Sequence, residues 1–290
     1  MFQLFSPAKL NLFLEVSGRR SDGFHELETV MVRSDFCDTI QFEQNSEPKI
    51  QLVLAPESSG IRPENFPLDE SNLIIRAASE LRELTGTALG ATISIVKRVP
   101  AEAGLAGGSS NAATTLLGLN QLWDLRLEKI HLHQIAAKLG SDINFFVEDC
   151  RAAVCRGRGE IVEPIDCHGE FHVVAFHPGV GNPTPAVFSK LVIAEAQQQH
   201  SSEAVQAALQ QGDTQRLVQA IFNRLTDAAR SINPEMDMMM ADVEQCLNRP
   251  VFMSGSGATC FVMAINRREA KRLQSQIAAD GRTVLGFFRI

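Results

Sequence analysis

Tyrosine is absent from this sequence and tryptophan occurs only once, whereas phenylalanine occurs 17 times. An aromatic binding surface in this protein therefore has to use phenylalanine or histidine rings, which carry no phenolic hydroxyl. Six cysteines are present, but they form neither a CxxC spacing nor a paired framework. This pattern argues against a zinc site and a disulfide scaffold, and it indicates a reducing cytoplasm.

Long apolar segments and excess positive charge are also missing. The longest apolar stretches, such as Cys260 to Ile265, are far too short to span a bilayer. Near the start of the chain, Pro7, Lys9 and Asn11 interrupt the apolar residues before a secretory signal could form. The formal net charge of -7 argues against non-specific binding to nucleic acid, which needs a basic surface. We therefore expect a cytoplasmic protein that binds neither nucleic acid nor membrane.

The sequence does contain ample material for a folded core. Hydrophobic residues make up 44% and charged residues 21% of its 290 residues, which is typical of a soluble globular protein of one large or two ordinary domains. Strand-like segments come first, two helices follow, and the second half is rich in helices that alternate with strands. This order predicts an α+β protein with two domains, residues 1–165 and 166–290.

The run Gly104-Leu-Ala-Gly-Gly-Ser-Ser110 lies directly before a predicted helix that Ser109 or Ser110 could cap. Small residues let the backbone approach an anion closely, and the helix N-terminus favours phosphate. The run is neither a P-loop, since no Gly-Lys-Ser/Thr is present, nor a dinucleotide fingerprint. An ordinary flexible loop before a core helix explains the run equally well.

Two further candidates are polar residues next to apolar segments. Lys9 and Asn11 share the polar face of a strand predicted over Leu4 to Val16, where they either face a common site or lie on an exposed edge. Asp142 follows the predicted helix stop at Gly140 and precedes apolar residues, so it is either a functional carboxylate or a turn aspartate.

Two loops complete the set of candidates. Phe24 and His25 follow a turn and could form a platform for a flat ring, although a buried phenylalanine next to a surface histidine is an equally ordinary arrangement. Ser254-Gly-Ser-Gly257 is typical of a hairpin turn. No histidine has a second ligand at a spacing that would predict a metal site.

Taken together, these segments resemble a known family. Three motifs resemble, in order, those of the GHMP kinase superfamily: Pro7-Ala-Lys-Leu-Asn-Leu12, Gly104-Leu-Ala-Gly-Gly-Ser-Ser-Asn-Ala-Ala113 and Ser254-Gly-Ser-Gly-Ala258. Motifs that resemble one branch of it are Asp22-Gly-Phe-His25, Ser71-Asn-Leu-Ile74, Leu139-Gly-Ser-Asp142, His177-Pro-Gly-Val180 and Pro183-Thr-Pro-Ala-Val-Phe188.

The resemblance implies a two-domain α+β kinase with a ribosomal-S5-like N-terminal domain and a ferredoxin-like C-terminal domain, which uses ATP and Mg²⁺. It implies Lys9 and Asp142 as the catalytic pair. The positions it assigns to ATP are Asn72, Pro100, Gly104, Leu105, Ala106, Gly107, Gly108, Ser109 and Ser110. The positions it assigns to the other substrate are Asn11, Phe24, His25, Thr184 and Phe188.

The branch also implies a substrate. That substrate is a small molecule with a cytidine diphosphate group, whose C2 hydroxyl is phosphorylated on the non-mevalonate route to isoprenoid precursors, by a monomer or homodimer. Phe24, His25 and Phe188 would hold the cytosine ring. Other readings are a GHMP kinase that acts on homoserine, mevalonate or a sugar, and a relative that binds nucleotide without catalysis.

The chain departs from the family pattern at four places. Phe24 replaces a usual tyrosine, and Glu102 with Ala103 shortens a glycine run. Ala106 replaces a common glycine, which limits that residue to a negative φ unless its backbone is strained. Asn144 replaces a proline, which predicts a looser turn after Asp142.

Overall fold

The computed structural model describes residues 1–192, 200–279 and 283–290. These residues divide into two units: unit 1 comprises residues 1–8, 36–101 and 106–150, and unit 2 comprises residues 9–35, 102–105 and 151–290. Strands β1 (Phe2–Arg19) and β2 (His25–Asn45) each contribute residues to both units. The domain boundary near residue 165 remains a prediction.

Unit 1 combines a sheet with four helices. Its strand β4 (Gly90–Val96) pairs in parallel with β3 (Ile50–Leu54) and antiparallel with residues 39–45 of β2. The helices are α1 (Leu73–Thr85), α2 (Gly107–Leu122), α3 (Lys129–Leu139) and α4 (Ile143–Val147), after a 3-10 turn at Pro63–Asn65. Helix α2 packs against the other three. It approaches the sheet closely at Gly118, where a Cβ would lie 2.4 Å from the Phe42 ring.

Unit 2 contains the remaining strands. The first half of β2 pairs with β5 (Ala152–Gly157), which turns back into β6 (Ile161–Ile165). The two-residue strand β8 (Phe222–Asn223) pairs in parallel with β1 at Phe13 and Leu14. A separate antiparallel sheet has the order β11 (Thr283–Arg289), β7 (His172–His177), β10 (Cys260–Ala264), β9 (Phe252–Met253).

Six helices lie in the described part of unit 2. They are α5 (Thr184–Lys190), α6 (Glu203–Gln211), α7 (Thr214–Ala220), α8 (Thr226–Ile232), α9 (Pro234–Leu247) and α10 (Arg267–Ala279). The apolar faces of α5, α8, α9 and α10 and one face of the second sheet share a methionine-rich core that includes Met236, Met239 and Met240. None of the described helices combines the length and apolar character needed to cross a membrane.

The structure confirms the α+β class and most predicted elements, and it corrects two details. The predicted serine cap of α2 is wrong, because the helix begins at Gly107 and its cap residue is Ala106. The predicted negative φ of Ala106 is also wrong. Its φ is 52°, in the left-handed region that favours glycine.

Candidate functional site

Lys9 and Asn11 lie on β1 in unit 2, and both side chains are buried. The exposed-edge alternative is therefore wrong; β1 is flanked by β2 on one side and β8 on the other. The Lys9 ammonium donates a hydrogen bond to Oδ1 of Asn11. Asn11 Nδ2 in turn donates to Oγ1 of Thr29, at 2.8 Å. Three polar side chains thus form one buried row, as expected for polar groups removed from water.

The start of the glycine run lies against this row. The backbone N–H of Lys9 donates to the carbonyl of Leu105 at 3.1 Å. Ser254 Oγ donates to the carbonyl of Gly104 at 2.9 Å and accepts from the backbone N–H of Asn11 at 3.2 Å. Within unit 2, the serine of the third motif therefore joins the first motif to the second.

Gly104 has to be glycine for two reasons. Its φ is +74°, and a Cβ on it would lie 2.3 Å from the carbonyl oxygen of Ser254 and 2.9 Å from that of Gly257. Both obstacles are backbone atoms that cannot rotate away. Small residues at this position allow two loops to approach within van der Waals distance.

The end of the glycine run forms the N-terminus of α2 in unit 1. Gly108 is exposed and Ser109 half-buried, so this first turn presents accessible backbone N–H groups with the positive end of the helix dipole. Ser110 is buried, and its hydroxyl accepts from Ser6 Oγ at 2.8 Å. Such a terminus can hold phosphate oxygens without any charged side chain.

Asp142 lies in unit 1 as the residue that precedes α4, and it is half-buried. Gly140 ends α3 in an extended conformation, with φ of 174°. Since Asp142 and Lys9 belong to different units, their pairing remains a prediction.

Two other predicted ATP residues also lie in unit 1. Asn72 caps α1: its Oδ1 accepts from the N–H of Ile74 at 3.0 Å, and its Nδ2 donates to the carbonyl of Pro67 at 2.8 Å. Pro100 is half-buried after β4. Asn72 thus has a structural role that explains its presence, whether or not it also contacts a nucleotide.

In unit 2, His25 stacks on Phe188, whereas the sequence suggested a platform formed by Phe24 and His25. The rings of His25 and Phe188 stack, with 4.8 Å between their centroids and an interplanar angle of 28°. The Phe24 ring instead lies under the guanidinium of Arg158, at 4.9 Å. Burial, with a smaller contribution from Arg19, lowers the pKa of His25, so this imidazole is neutral at pH 7.

The turn before β2 fixes the exposed Phe24. The backbone N–H of Phe24 donates to the Asp22 carboxylate at 3.1 Å, and Gly23 has a φ of 88°. Phe24 is 48% exposed, which leaves part of its ring open to a ligand.

Thr184 begins α5 and shares a hydrogen bond with Ser256, at 2.8 Å between the two hydroxyl oxygens. The adjacent Asn182 is buried, donates to the carbonyl of Ser256 at 2.9 Å and accepts from Nδ2 of Asn233 at 2.8 Å. The loop that carries Thr184 is therefore tied to the loop that contacts Gly104. Asn182 carries no local sequence signal, because its partners are distant in the chain; Asn233, which directly precedes Pro234, also caps α9 by accepting from the N–H of Met236 at 3.0 Å.

The sequence matches two family models, "GHMP kinases N terminal domain" over residues 72–149 and "GHMP kinases C terminal" over residues 205–283. It is 36% identical to 4-diphosphocytidyl-2-C-methyl-D-erythritol kinase of Alkaliphilus metalliredigens over 93% of this chain and 90% of that protein. It is 38% identical to the enzyme of the same name from Prochlorococcus marinus over 92% and 87%.

The fold of this chain also matches those of solved kinase structures. A crystal structure of 4-(cytidine 5'-diphospho)-2C-methyl-D-erythritol kinase matches with a TM-score of 0.81 and 31% identity, over 99% of both chains. Homoserine kinase from Cytophaga hutchinsonii shares the fold, with a TM-score of 0.71 and 16% identity over 99% of this chain and 93% of that one. The chain therefore belongs to the GHMP kinase family, as an ATP-using member of the branch formed by the 4-diphosphocytidyl-2-C-methyl-D-erythritol kinases.

Proposed function

We propose that the protein transfers the γ-phosphate of ATP to the C2 hydroxyl of 4-diphosphocytidyl-2-C-methyl-D-erythritol, a step in isoprenoid precursor synthesis. The main support is the identity of 36–38% with enzymes of that name over more than nine-tenths of the chain. The buried row of Lys9 and Asn11, which contacts the start of the glycine run, supplies chemistry that a phosphotransferase needs. We also propose that the enzyme works in the cytoplasm as a monomer or homodimer.

Asp142 would accept the proton of the C2 hydroxyl as its oxygen attacks the γ-phosphorus. The new oxygen–phosphorus bond forms while the bond to the β,γ-bridging oxygen breaks, and ADP leaves with that oxygen. The Lys9 ammonium would offset the negative charge at the transferred group. Positioning and electrostatic stabilisation account for most of the catalysis in such reactions.

ATP would lie with its phosphates on the N-terminus of α2 and along residues Gly104 to Ser110, with Pro100 and Asn72 nearby. Mg²⁺ would enter as MgATP, that is, as part of the substrate. Among the described residues, no group of three or more His, Cys, Asp or Glu side chains could hold a metal ion. Magnesium commonly relies on substrate phosphates, water and only one or two carboxylates.

The other substrate would place its cytosine on the aromatic group of Phe24, His25 and Phe188. A neutral His25 can both donate to and accept from the Watson–Crick edge of a base. Thr184 would contact the remainder of that substrate. Homoserine and mevalonate offer no base to such a group.

The acceptor assay compares ADP release with 4-diphosphocytidyl-2-C-methyl-D-erythritol, homoserine and mevalonate at equal concentrations. We expect turnover with the first substrate alone. Turnover with only one of the competitors would refute the proposed acceptor. ATP binding without ADP release for any alcohol would favour a non-catalytic relative.

The catalytic assignment is tested with Asp142→Asn. Loss of a general base commonly costs a factor of about 100 or more in kcat. The matched control is Asp124→Asn in the same unit, since the Asp124 carboxylate is 72% exposed and pairs with the surface Arg126. Normal turnover of purified Asp142→Asn would remove this residue from the mechanism.

A further inference from the structure

We propose that Thr29 is a positioning residue for Lys9, because it fixes which way the side-chain amide of Asn11 points. The inference rests on the proposed kinase chemistry of Lys9. It adds a residue of β2 that none of the three kinase motifs contains. Thr29 is 1% exposed, so it is not a surface residue that happens to lie near the site.

The argument begins with the single proton of the Thr29 hydroxyl. Thr29 Oγ1 lies 2.6 Å from the carbonyl oxygen of Phe13 and 2.8 Å from Nδ2 of Asn11. A carbonyl oxygen can only accept, so the hydroxyl donates its proton to Phe13. Towards Asn11 the hydroxyl oxygen can then only accept.

An acceptor at this position decides the orientation of the Asn11 amide. The NH₂ group of Asn11 has to face Thr29, and Oδ1 consequently faces the Lys9 ammonium, which donates to it. The flipped amide would place its NH₂ group against an ammonium and its oxygen against an acceptor. Both contacts would then be repulsive, in a buried place where water cannot relieve them.

The backbone of Asn11 is held as well. Its N–H donates to Ser254 Oγ, and Ser254 reaches the carbonyl of Gly104. With Thr29 present, Lys9 has a neutral acceptor at a fixed point. Without the Thr29 hydroxyl, the Asn11 amide can rotate, and the Lys9 ammonium then loses Oδ1 as its acceptor. A displacement of about 1 Å at a reacting group can cost about 100-fold in rate.

Thr29→Val tests the inference, because valine has the same shape but no hydroxyl. We expect kcat to fall about 10- to 100-fold, while the KM values for ATP and the acceptor change less than about 3-fold. Thr29→Ser, which keeps the hydroxyl, is expected to restore most of kcat. A lost methyl group alone would instead give Ser a larger defect than Val.

A second background separates positioning from general damage. In Asn11→Asp both side-chain oxygens accept, so Lys9 keeps an acceptor in either orientation of the carboxylate. Adding Thr29→Val to this background should change kcat less than about 3-fold. An equal loss of kcat in both backgrounds, or an unchanged kcat in Thr29→Val itself, would overturn the inference. If the valine variant does not fold, Thr29→Ala replaces it in both backgrounds.

The two proposals can fail separately. All rates are measured with whichever alcohol the wild-type chain phosphorylates, beginning with 4-diphosphocytidyl-2-C-methyl-D-erythritol. A wild type that uses only homoserine or mevalonate refutes the proposed acceptor and leaves the Thr29 comparison valid. A wild type that behaves as proposed, with Thr29→Val equal to it in kcat, refutes only the role of Thr29.

Discussion

Asp38 and Lys97 form a buried ion pair in unit 1, with 2.6 Å between Oδ2 and Nζ. The same carboxylate accepts from the backbone N–H groups of Arg98 at 2.6 Å and Val99 at 2.8 Å, and from Nδ2 of Asn111 at 2.8 Å. One aspartate of β2 therefore binds the chain after β4 and the first turns of α2. It stabilises the part of unit 1 in which the glycine run ends.

The first prediction concerns which partner of this pair matters more. Burial lowers the pKa of Lys97 even though Asp38 acts in the opposite direction, so the lysine is incompletely compensated. Asp38 has three further donors. Asp38→Asn should cost about 3–5 kcal/mol of unfolding free energy, because it leaves the ammonium buried and uncompensated. Lys97→Met should cost less.

Urea denaturation of both variants measures this difference through the midpoint and slope of unfolding. The exposed pair of Arg126 and Asp124 provides the control, since Asp124→Asn should change the free energy of unfolding by less than about 1 kcal/mol. A Lys97→Met variant less stable than Asp38→Asn would contradict the ranking.

The second prediction compares two glycines of the same run. Gly104→Ala should prevent folding or cost about 3 kcal/mol or more, since a Cβ meets backbone oxygens at 2.3 and 2.9 Å and φ is positive. Gly108→Ala should be neutral or slightly stabilising, because a Cβ added there would lie 3.6 Å from Cδ1 of Leu73, an ordinary van der Waals contact, and alanine favours helix.

The KM for ATP of the Gly108→Ala variant then tests whether phosphate binds at this helix terminus. If phosphate oxygens contact the α2 terminus, the methyl group of Gly108→Ala should raise the KM for ATP while the midpoint of unfolding stays at the wild-type value. An unchanged KM for ATP would place the phosphates away from Gly108. Equal stability of the two variants would refute the steric reading of Gly104.

The third prediction concerns Ala106, whose φ of 52° costs a non-glycine residue about 1 kcal/mol or more. Ala106→Gly removes that cost, although glycine increases the freedom of the unfolded chain. We expect a net gain of about 0.5–1 kcal/mol in unfolding free energy, read from the thermal midpoint. Gly108→Ala in the same helix turn is the reference for an unstrained position. A destabilised Ala106→Gly would show that the left-handed conformation carries no strain.

Much of the fold was predictable because its signals are local. The helical spacing of the apolar residues from Leu73 to Leu84 predicts α1, and the β-rich run from Ala91 to Val96 predicts β4. The two-residue strand β8 was missed, since two residues carry no periodicity and its pairing with Phe13 is set by tertiary structure. Ala106 was mispredicted because its conformation is imposed by its surroundings against its own preference.

In the candidate site, too, residues with a local sequence signal were predicted and residues without one were missed. Lys9, Asn11 and Gly104 were found through motifs, and the structure joins them through Ser254. The supporting residues Asp38 and Thr29 were not found. Their partners lie far along the chain, and an isolated aspartate or threonine in a strand gives no pattern from which its partners could be inferred.

The fourth prediction tests the aromatic group. Phe188→Leu keeps an apolar side chain but removes the ring that stacks on His25. Base stacking on an aromatic ring is worth about 1–3 kcal/mol, so the KM for the cytidine-containing acceptor should rise about 10-fold or more while that for ATP stays constant. Phe261→Leu, a buried ring on β10 in the same unit, controls for general loss of packing. A parallel rise in both KM values would argue against a base-binding role.

The last prediction concerns pH and the buried pair of Glu15 and Arg224, whose closest atoms are 2.7 Å apart. Burial by itself raises the pKa of Glu15. The guanidinium of Arg224 and the backbone N–H groups of His200 and Val16 together outweigh burial, so the pKa is lowered. The folded state therefore binds this proton less tightly than the unfolded state. The resulting stability is present above the ordinary carboxyl pKa of 4.5 and is lost as the pH falls through the lower, folded-state value.

Glu15→Gln should consequently cost about 3 kcal/mol of unfolding free energy at pH 7, where it leaves Arg224 without its carboxylate. Below pH 4.5 the difference from wild type should shrink, because the wild-type carboxyl takes up a proton as well. Urea titrations between pH 7 and 3 measure this convergence. Glu163→Gln, in an exposed pair with Arg156, should cost less than about 1 kcal/mol at pH 7. A constant difference between Glu15→Gln and wild type across this range would mean that the Glu15 carboxyl has the same pKa in the folded and unfolded chains.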